Sequence, residues 1–305
     1  MKNRTLKNFF ENCLFFPLSF LVRCLPRKGA LFLGGGFGRL LGCFMSSKRR
    51  IAVENMGKAF PEFSETELQQ RVDAMFVHIG KSVIEMLRLD LFKESEIDEI
   101  FNPTGLEHLQ KAYDYNRGVI LLSGHVGFWE VGTFLLPKLG FPADFVAKKM
   151  KNPQADKYIT RMREAAGGRC IDSKSGARKI LRSLSEKKGV AVLIDQHRSS
   201  SEGVAVPFFG RPASTTPIIA RLAMKYQIPV VPIFSYRRSD DCYDFQAQPM
   251  LFLKDEPESS VEENTALLTS YIEEAIRKDV TQWLWLHRRW RCKTSKKTLD
   301  QKHSV

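Results

Sequence analysis

From residue 118 onward, short unbroken apolar runs alternate with segments of helical pattern, and that alternation limits the folds open to this chain. The runs are Gly118-Val119-Ile120-Leu121-Leu122-Ser123, Ala143 to Ala147, Val190-Ala191-Val192-Leu193-Ile194, Ile228 to Phe234 and Tyr243 to Ala247. Between them, helices are predicted through Phe134-Leu135-Leu136, from Asn152-Pro153 to about Ala166 before Gly167-Gly168, over Ala177 to Ser185, and from Thr215-Thr216-Pro217 to about Tyr226. A last amphipathic helix is predicted over 261–278. Apolar strands alternating with helices imply an α/β fold whose mainly parallel central sheet is flanked by helices on both faces. In such sheets ligands bind outside the carboxyl ends of the strands. Upstream, 51–100 reads as helical, with a start at Ser64-Glu65-Thr66-Glu67 and apolar positions Val72, Met75, Phe76, Ile79, Val83 and Met86 at helical spacing. With 305 residues, the chain has room for one large α/β domain plus an N-terminal appendage, or for two small domains.

Directly after the first run comes Gly124-His125-Val126-Gly127-Phe128-Trp129-Glu130. A strand that ends in glycine and then presents a histidine offers a general base, because an unperturbed imidazole, with a pKa of about 6.5, is largely neutral near pH 7. A carboxylate on the other ring nitrogen would set the tautomer and stabilise the imidazolium. The separation of His125 and Glu130 does not place both on one helical face. They meet only if the histidine lies on the loop and the glutamate in the next helix's first turn. The plainer alternative is a strand-terminal histidine and an unrelated glutamate favoured by a helix dipole.

Formal net charge is +13 and the isoelectric point about 9.5. That balance favours polyanionic partners: nucleic acid, anionic lipid, phosphorylated substrate or an acidic carrier protein. Six cysteines, at 13, 24, 43, 170, 242 and 292, show neither Cys-x-x-Cys pairs nor zinc-ligand spacing, and read as scattered thiols of a reducing compartment. The basic start Met1 to Lys7 precedes an uncharged stretch from Asn12 to Val22, shorter than the roughly 20 residues a spanning helix needs. It lacks a small-x-small cleavage site. A second apolar stretch, Ala30 to Met45, is glycine-rich, and Arg27, Lys28, Lys48, Arg49 and Arg50 flank it. The pattern suits elements lying in the interface of an anionic leaflet; two core helices of a soluble fold would read the same way. The chain thus divides into an N-terminal membrane-associating segment (1–50), a catalytic domain (51–292) and a polar, disordered tail (293–305).

Other residues are candidates for the site. Asp195, in Asp195-Gln196-His197-Arg198, stands past a strand end as His125 does, and could hold a cation or position a substrate. Arg163, on the helix after Asn152-Pro153, could neutralise a phosphate or an oxyanion. Arg211, in Phe208-Phe209-Gly210-Arg211-Pro212-Ala213-Ser214-Thr215-Thr216, couples an aromatic pair to a predicted helix N-terminus, a usable anion site. Arg288 and Arg289, within Trp283-Leu284-Trp285-Leu286-His287-Arg288-Arg289-Trp290-Arg291, could meet head-group phosphates or a carrier protein. No phosphate loop, Gly-x-Ser-x-Gly elbow or His-Glu-x-x-His pattern occurs, so neither a serine nucleophile nor a metal or other cofactor is expected.

Taken in order, Asn55-Met56-Gly57-Lys58-Ala59-Phe60-Pro61-Glu62, Ser123-Gly124-His125 through Glu130, Asn152-Pro153 with Arg163, Asp195-Gln196, Phe209 to Thr215 and Trp285-Leu286-His287-Arg288-Arg289 resemble the bacterial lipid A biosynthesis acyltransferases, of lauroyl and myristoyl transferase type. The likeness spans about residues 10–292. It implies a glycerolipid-acyltransferase-like fold. The implied reaction is transfer of a fatty acyl chain from acyl carrier protein to a hydroxyl of a lipid A precursor, at the cytoplasmic face of the inner membrane. It gives His125 the role of base, Glu130 that of orienter, and marks Arg163 and Asp195 as required. It also leads one to expect a single N-terminal spanning helix; because the run here is short and contains Pro17, tight peripheral attachment stands beside a true span as an equal alternative. Two rivals remain: the same chemistry with acyl-CoA on another glycolipid such as a phosphatidylinositol mannoside, and a membrane-associated polyanion-binding protein. The second explains the charge and the Trp/Arg ending but not the histidine after a strand, and nucleic acid is not the expected partner.

Overall fold

The computed structural model describes residues 2–173, 176–199, 201–254 and 260–291; the polar tail expected from 293 lies outside them. The chain opens with four helices, α1 (Lys2–Cys24), α2 (Arg27–Phe44), α3 (Ser46–Ala59) and α4 (Glu65–Met86), followed by one turn of helix, α5 (Ile97–Ile100). It continues as β1 (Phe101–Thr104), α6 (Leu106–Asp114), β2 (Val119–Ser123), α7 (Gly132–Lys138), β3 (Ala143–Ala147), α8 (Pro153–Glu164) and β4 (Cys170–Asp172). After these come α9 (Gly176–Ser185), β5 (Gly189–Leu193), β6 (Val204–Phe208), β7 (Arg211–Thr215), α10 (Ile218–Tyr226), β8 (Val230–Arg237), β9 (Tyr243–Ala247) and α11 (Val261–Lys278).

Seven strands form the central sheet in the order β1-β9-β8-β2-β5-β3-β4. All neighbours are parallel except β8 and β9. Every residue of β2 is buried, as its unbroken apolar run requires. Successive side chains point to opposite faces. Ile120 and Leu122 pack under α3, α4, α9, α10 and α11. Val119 and Leu121 pack under α5, α6 and α7. The predicted mainly parallel sheet, flanked on both faces, is therefore present.

Some elements escaped the pattern. β1 contains Pro103, which suits only an edge strand, and β4 is three residues long. Residues 204–215 form an antiparallel hairpin, β6–β7, outside the central sheet. Its turn places both Phe209 and Gly210 at positive φ, as a two-residue hairpin turn demands. The helix anticipated at Thr215 starts only at Ile218.

Ser64 caps α4 with the anticipated capping box, its side chain accepting from the Glu67 N–H. The glycines of the second apolar stretch have a structural task. Gly34 and Gly38 of α2 face Gly80 of α4, and a Cβ on Gly38 or Gly80 would overlap the opposing backbone. α1 packs on α8: Ser19 donates to the Tyr158 hydroxyl (2.6 Å), and Phe15 and Phe16 meet the Tyr158 ring edge-on. The opposite sides of both helices carry exposed apolar side chains, Leu6, Phe9, Phe10, Leu14, Phe20 and Leu21 on α1 and Phe32, Leu33, Phe37, Leu40 and Phe44 on α2. Among the described residues no single helix is long and apolar enough to cross a membrane; α2 and α3 qualify only together, and they are bent by 93°.

Candidate active site

β2 and β5 are adjacent and parallel, with Ser123 opposite Leu193. Two residues beyond each strand end stand His125 and Asp195, so the sheet register itself sets them side by side. The Asp195 carboxylate accepts from the His125 main-chain N–H (2.9 Å), from the His125 ring at Nδ1 (2.8 Å) and from the Trp283 indole (2.7 Å). A carboxylate on Nδ1 requires the proton there, which leaves the Nε2 lone pair as the basic site of the neutral ring. Burial disfavours the imidazolium, yet the charge and hydrogen bond of Asp195, with Glu130 adding, raise the His125 pKa above its ordinary value. Burial likewise opposes ionisation of Asp195, but His125 and the two N–H donors hold its pKa far below the usual carboxylate range.

The loop carrying His125 is held from both ends. Gly127 has φ +60°, and a Cβ there would overlap the Ser235 carbonyl. Its N–H donates to Gln282 O (2.7 Å), Phe128 N–H to Ser235 O (2.9 Å), and Leu284 N–H to His125 O (3.1 Å). His78, buried on α4, bonds the Gly127 carbonyl at 3.0 Å. Burial, assisted by the nearby Arg237 charge, pushes its pKa down to about 4, so it donates as a neutral ring. Asn55 on α3 donates to the carbonyls of Trp285 (2.8 Å) and His287 (2.7 Å). The first and last of the motifs quoted above thus meet behind the histidine.

Glu130 is buried too, but it does not touch the imidazole. It lies in a 3-10 turn (Trp129–Val131) and accepts two bonds from Arg163 of α8, Nε to Oε2 at 2.8 Å and Nη2 to Oε1 at 2.5 Å. The carboxylate on the ring nitrogen is therefore that of Asp195, not Glu130, because the chain between 125 and 130 turns Glu130 toward α8. Three more residues surround the ring, none given a role from the sequence. Trp129 meets it edge-on at 5.1 Å. The Gln196 amide nitrogen lies 3.0 Å from His125 Nε2 and 3.3 Å from His287 Nε2. All three did stand inside quoted motifs, the one signal that could have found them.

A cavity of about 960 Å³ takes in His125, Glu130, Arg163 and Gln196 and runs inward along Val146, Ile180, Val192, Ile194, Ile218 and Ile219. Its size and lining fit a largely apolar ligand with a few polar fixing points. Arg211 and Arg289 stand elsewhere. Arg211 follows the hairpin turn, is exposed, donates to the Lys58 carbonyl (3.2 Å) and lines no part of this cavity; the helix start that made it an anion site begins later. Arg289 is fully buried, donating to Ser214 O (2.7 Å) and Thr215 Oγ1 (2.5 Å) with its guanidinium over Phe208. It locks the C-terminal segment onto the hairpin and is not available to a head group. Arg288 is exposed.

The chain matches the family model for bacterial lipid A biosynthesis acyltransferase over residues 4–292. It belongs to that family. Among its relatives, a lipid A biosynthesis acyltransferase of Haemophilus influenzae is 23% identical over 90% of this chain and 84% of its own length. The lipid A biosynthesis lauroyltransferase of Escherichia coli K12 is 27% identical over 89% of this chain and 88% of its own. The myristoyltransferase of the same organism is 28% identical over 65% and 61%. Membership makes the chain an acyltransferase of lipid A biosynthesis, while the relatives' names differ in the acyl chain.

Proposed function

We propose that the protein transfers a fatty acyl chain from an acyl thioester on acyl carrier protein to a hydroxyl of a lipid A precursor, with His125 as general base. The observation that carries this is His125 itself, fixed by Asp195 at Nδ1 and opening at Nε2 onto a cavity with apolar depth. The acyl chain would lie along the apolar wall with its thioester carbonyl near the ring. The acceptor hydroxyl takes the place of the Gln196 amide at Nε2, and its oxygen attacks the carbonyl carbon as Nε2 takes its proton. Arg163, whose Nε and Nη2 are held by Glu130, keeps Nη1 for the oxyanion. Collapse of the tetrahedral intermediate breaks the carbon–sulfur bond, and the imidazolium returns the proton to the departing thiolate.

Direct attack is favoured over an acyl-enzyme. Among the described residues, no serine hydroxyl or cysteine thiol bonds either ring nitrogen, the contact a covalent route needs. The exposed apolar sides of α1 and α2, with the exposed Lys28, Lys48 and Arg50 near their ends, support attachment within the interface of the anionic inner membrane, on the cytoplasmic side. Carbonate washing should release a protein held this way; retention in the pellet would indicate a spanning anchor.

The deciding experiment gives the purified enzyme acyl carrier protein and CoA thioesters with a lipid A precursor, alongside His125→Ala. Acyl transfer from the carrier-protein thioester, lost by about 10²–10⁴-fold in the variant, is the expected result. Undiminished transfer by the variant, or a trapped acylated serine or cysteine, would sink the mechanism.

A further inference from the structure

A second cavity, about 820 Å³, adjoins the first; Ala147, Lys148 and Arg163 line both. Four of its cations converge from three elements: Lys148 after β3, Lys157 and Arg161 on α8, and Lys179 on α9. All four are exposed, and among the described residues none of their side chains makes a hydrogen bond or ion pair. The carboxylates of this groove are, by contrast, engaged. Asp90 pairs with Arg23, Asp172 with Lys149, Asp156 accepts from the Met150 N–H and Glu164 from the Cys170 N–H. Lys157 and Arg161 moreover sit four apart on one helix, where like charges repel unless an anion lies between them. An extended protein surface would spread such charges apart; here they surround one hollow beside the catalytic cavity.

We propose that this groove is a phosphate site and that it holds a phosphate of the lipid acceptor's head group while the hydroxyl lies at His125. The assignment rests on the acyl-transfer reading above. Lysines act as compact point charges on a phosphate, and an arginine can add a bidentate contact. The lipid, rather than the carrier's prosthetic arm, is indicated by position. α8, which forms one wall, is also the seat of α1, and Asp90 on the groove wall is the partner of Arg23 on α1. The groove therefore lies beside the helix whose far side carries the exposed apolar residues.

The test compares the full-length enzyme with the double variant Lys157→Gln/Arg161→Gln, neither residue belonging to the catalytic cavity. Donor and acceptor kinetics are measured separately, using an acceptor lipid bearing phosphate monoesters and the same lipid after phosphatase treatment. KM for the phosphorylated acceptor should rise about tenfold, as loss of two solvent-exposed ion pairs implies, with kcat nearly unchanged, and the variant should no longer distinguish the two acceptors. An unchanged acceptor KM, or a rise confined to the acyl donor, would overturn the assignment. Inorganic pyrophosphate provides a reading independent of turnover. It should shift the melting temperature of the wild-type protein and not that of the variant, and equal shifts would count against the groove. If the wild type transfers no acyl chain while pyrophosphate still discriminates, the acyl-transfer reading fails and the groove stands.

Discussion

Asp195 and Glu130 are two buried carboxylates beside one cavity, and they differ in what they hold. Asp195 stands past the end of β5 and binds a side chain that can change charge, the His125 imidazole. Glu130 stands in a 3-10 turn and binds one that does not, the Arg163 guanidinium. The same functional group therefore holds a titratable ring in one corner and a fixed positive charge in the other. Partner identity, more than burial or proximity in sequence, decides a carboxylate's role.

Asp195→Asn should break the first corner most severely. With an amide on Nδ1 the ring loses its preferred tautomer and the stabilisation of its charged form, so kcat/KM should fall about 10²–10⁴-fold. The sign of the pH effect follows from the raised His125 pKa. A base must be neutral to act, so activity rises with pH through that pKa, and the acid limb of the wild-type profile should lie above the ordinary histidine value of about 6.5. Removing the Asp195 charge lowers the pKa, and the limb of the variant's residual activity should move down. An acid limb that stays in place would show that Asp195 does not govern the base.

Glu130→Gln and Arg163→Lys come next, each expected to cost about 10–10³-fold through loss of the fixed donor proposed for the oxyanion. They should leave the acid limb much less disturbed than Asp195→Asn does. A double-mutant cycle sharpens the contrast. Glu130 with Arg163, and His125 with Asp195, should each be strongly non-additive, because each pair shares one contact. Glu130 with Asp195 should be closer to additive. Strong coupling across the two corners would merge them into one unit.

Which parts of this arrangement could be read from the chain follows from how each is built. Strand ends were legible because β2 and β5 are unbroken apolar runs, so His125 and Asp195 could be placed past them. Their contact was not legible, since it depends on β2 lying next to β5 in register, a property of strand order. Glu130 looked like the nearer partner on sequence distance alone; Arg163 reaches it from a separate helix. The β6–β7 hairpin was missed because Thr215-Thr216-Pro217 reads as a helix start and Phe209 is a poor residue for positive φ. Glycine-rich 34–42 has the composition of both a membrane-lying helix and a close-packed one. Only the approach of Gly80 reveals the packing role of its inner side.

The smallest expected effect belongs to Gln196, which approaches the same imidazole as Asp195 from the other nitrogen. With Nδ1–H directed at Asp195, the neutral ring presents a lone pair at Nε2, and the Gln196 amide donates to it at 3.0 Å. A bond to the lone pair favours the neutral ring, whereas Asp195 favours the charged one. Gln196→Ala should therefore move the acid limb of kcat/KM upward, opposite to Asp195→Asn. The change in transfer rate should be only about 2–10-fold, the net worth of one hydrogen bond. In the proposed mechanism the amide occupies the position of the attacking hydroxyl, so its removal should open the His125 ring to water and raise thioester hydrolysis relative to transfer. A limb that moves down, or hydrolysis and transfer falling together, would mean that Gln196 merely supports the loop and has no place at the base.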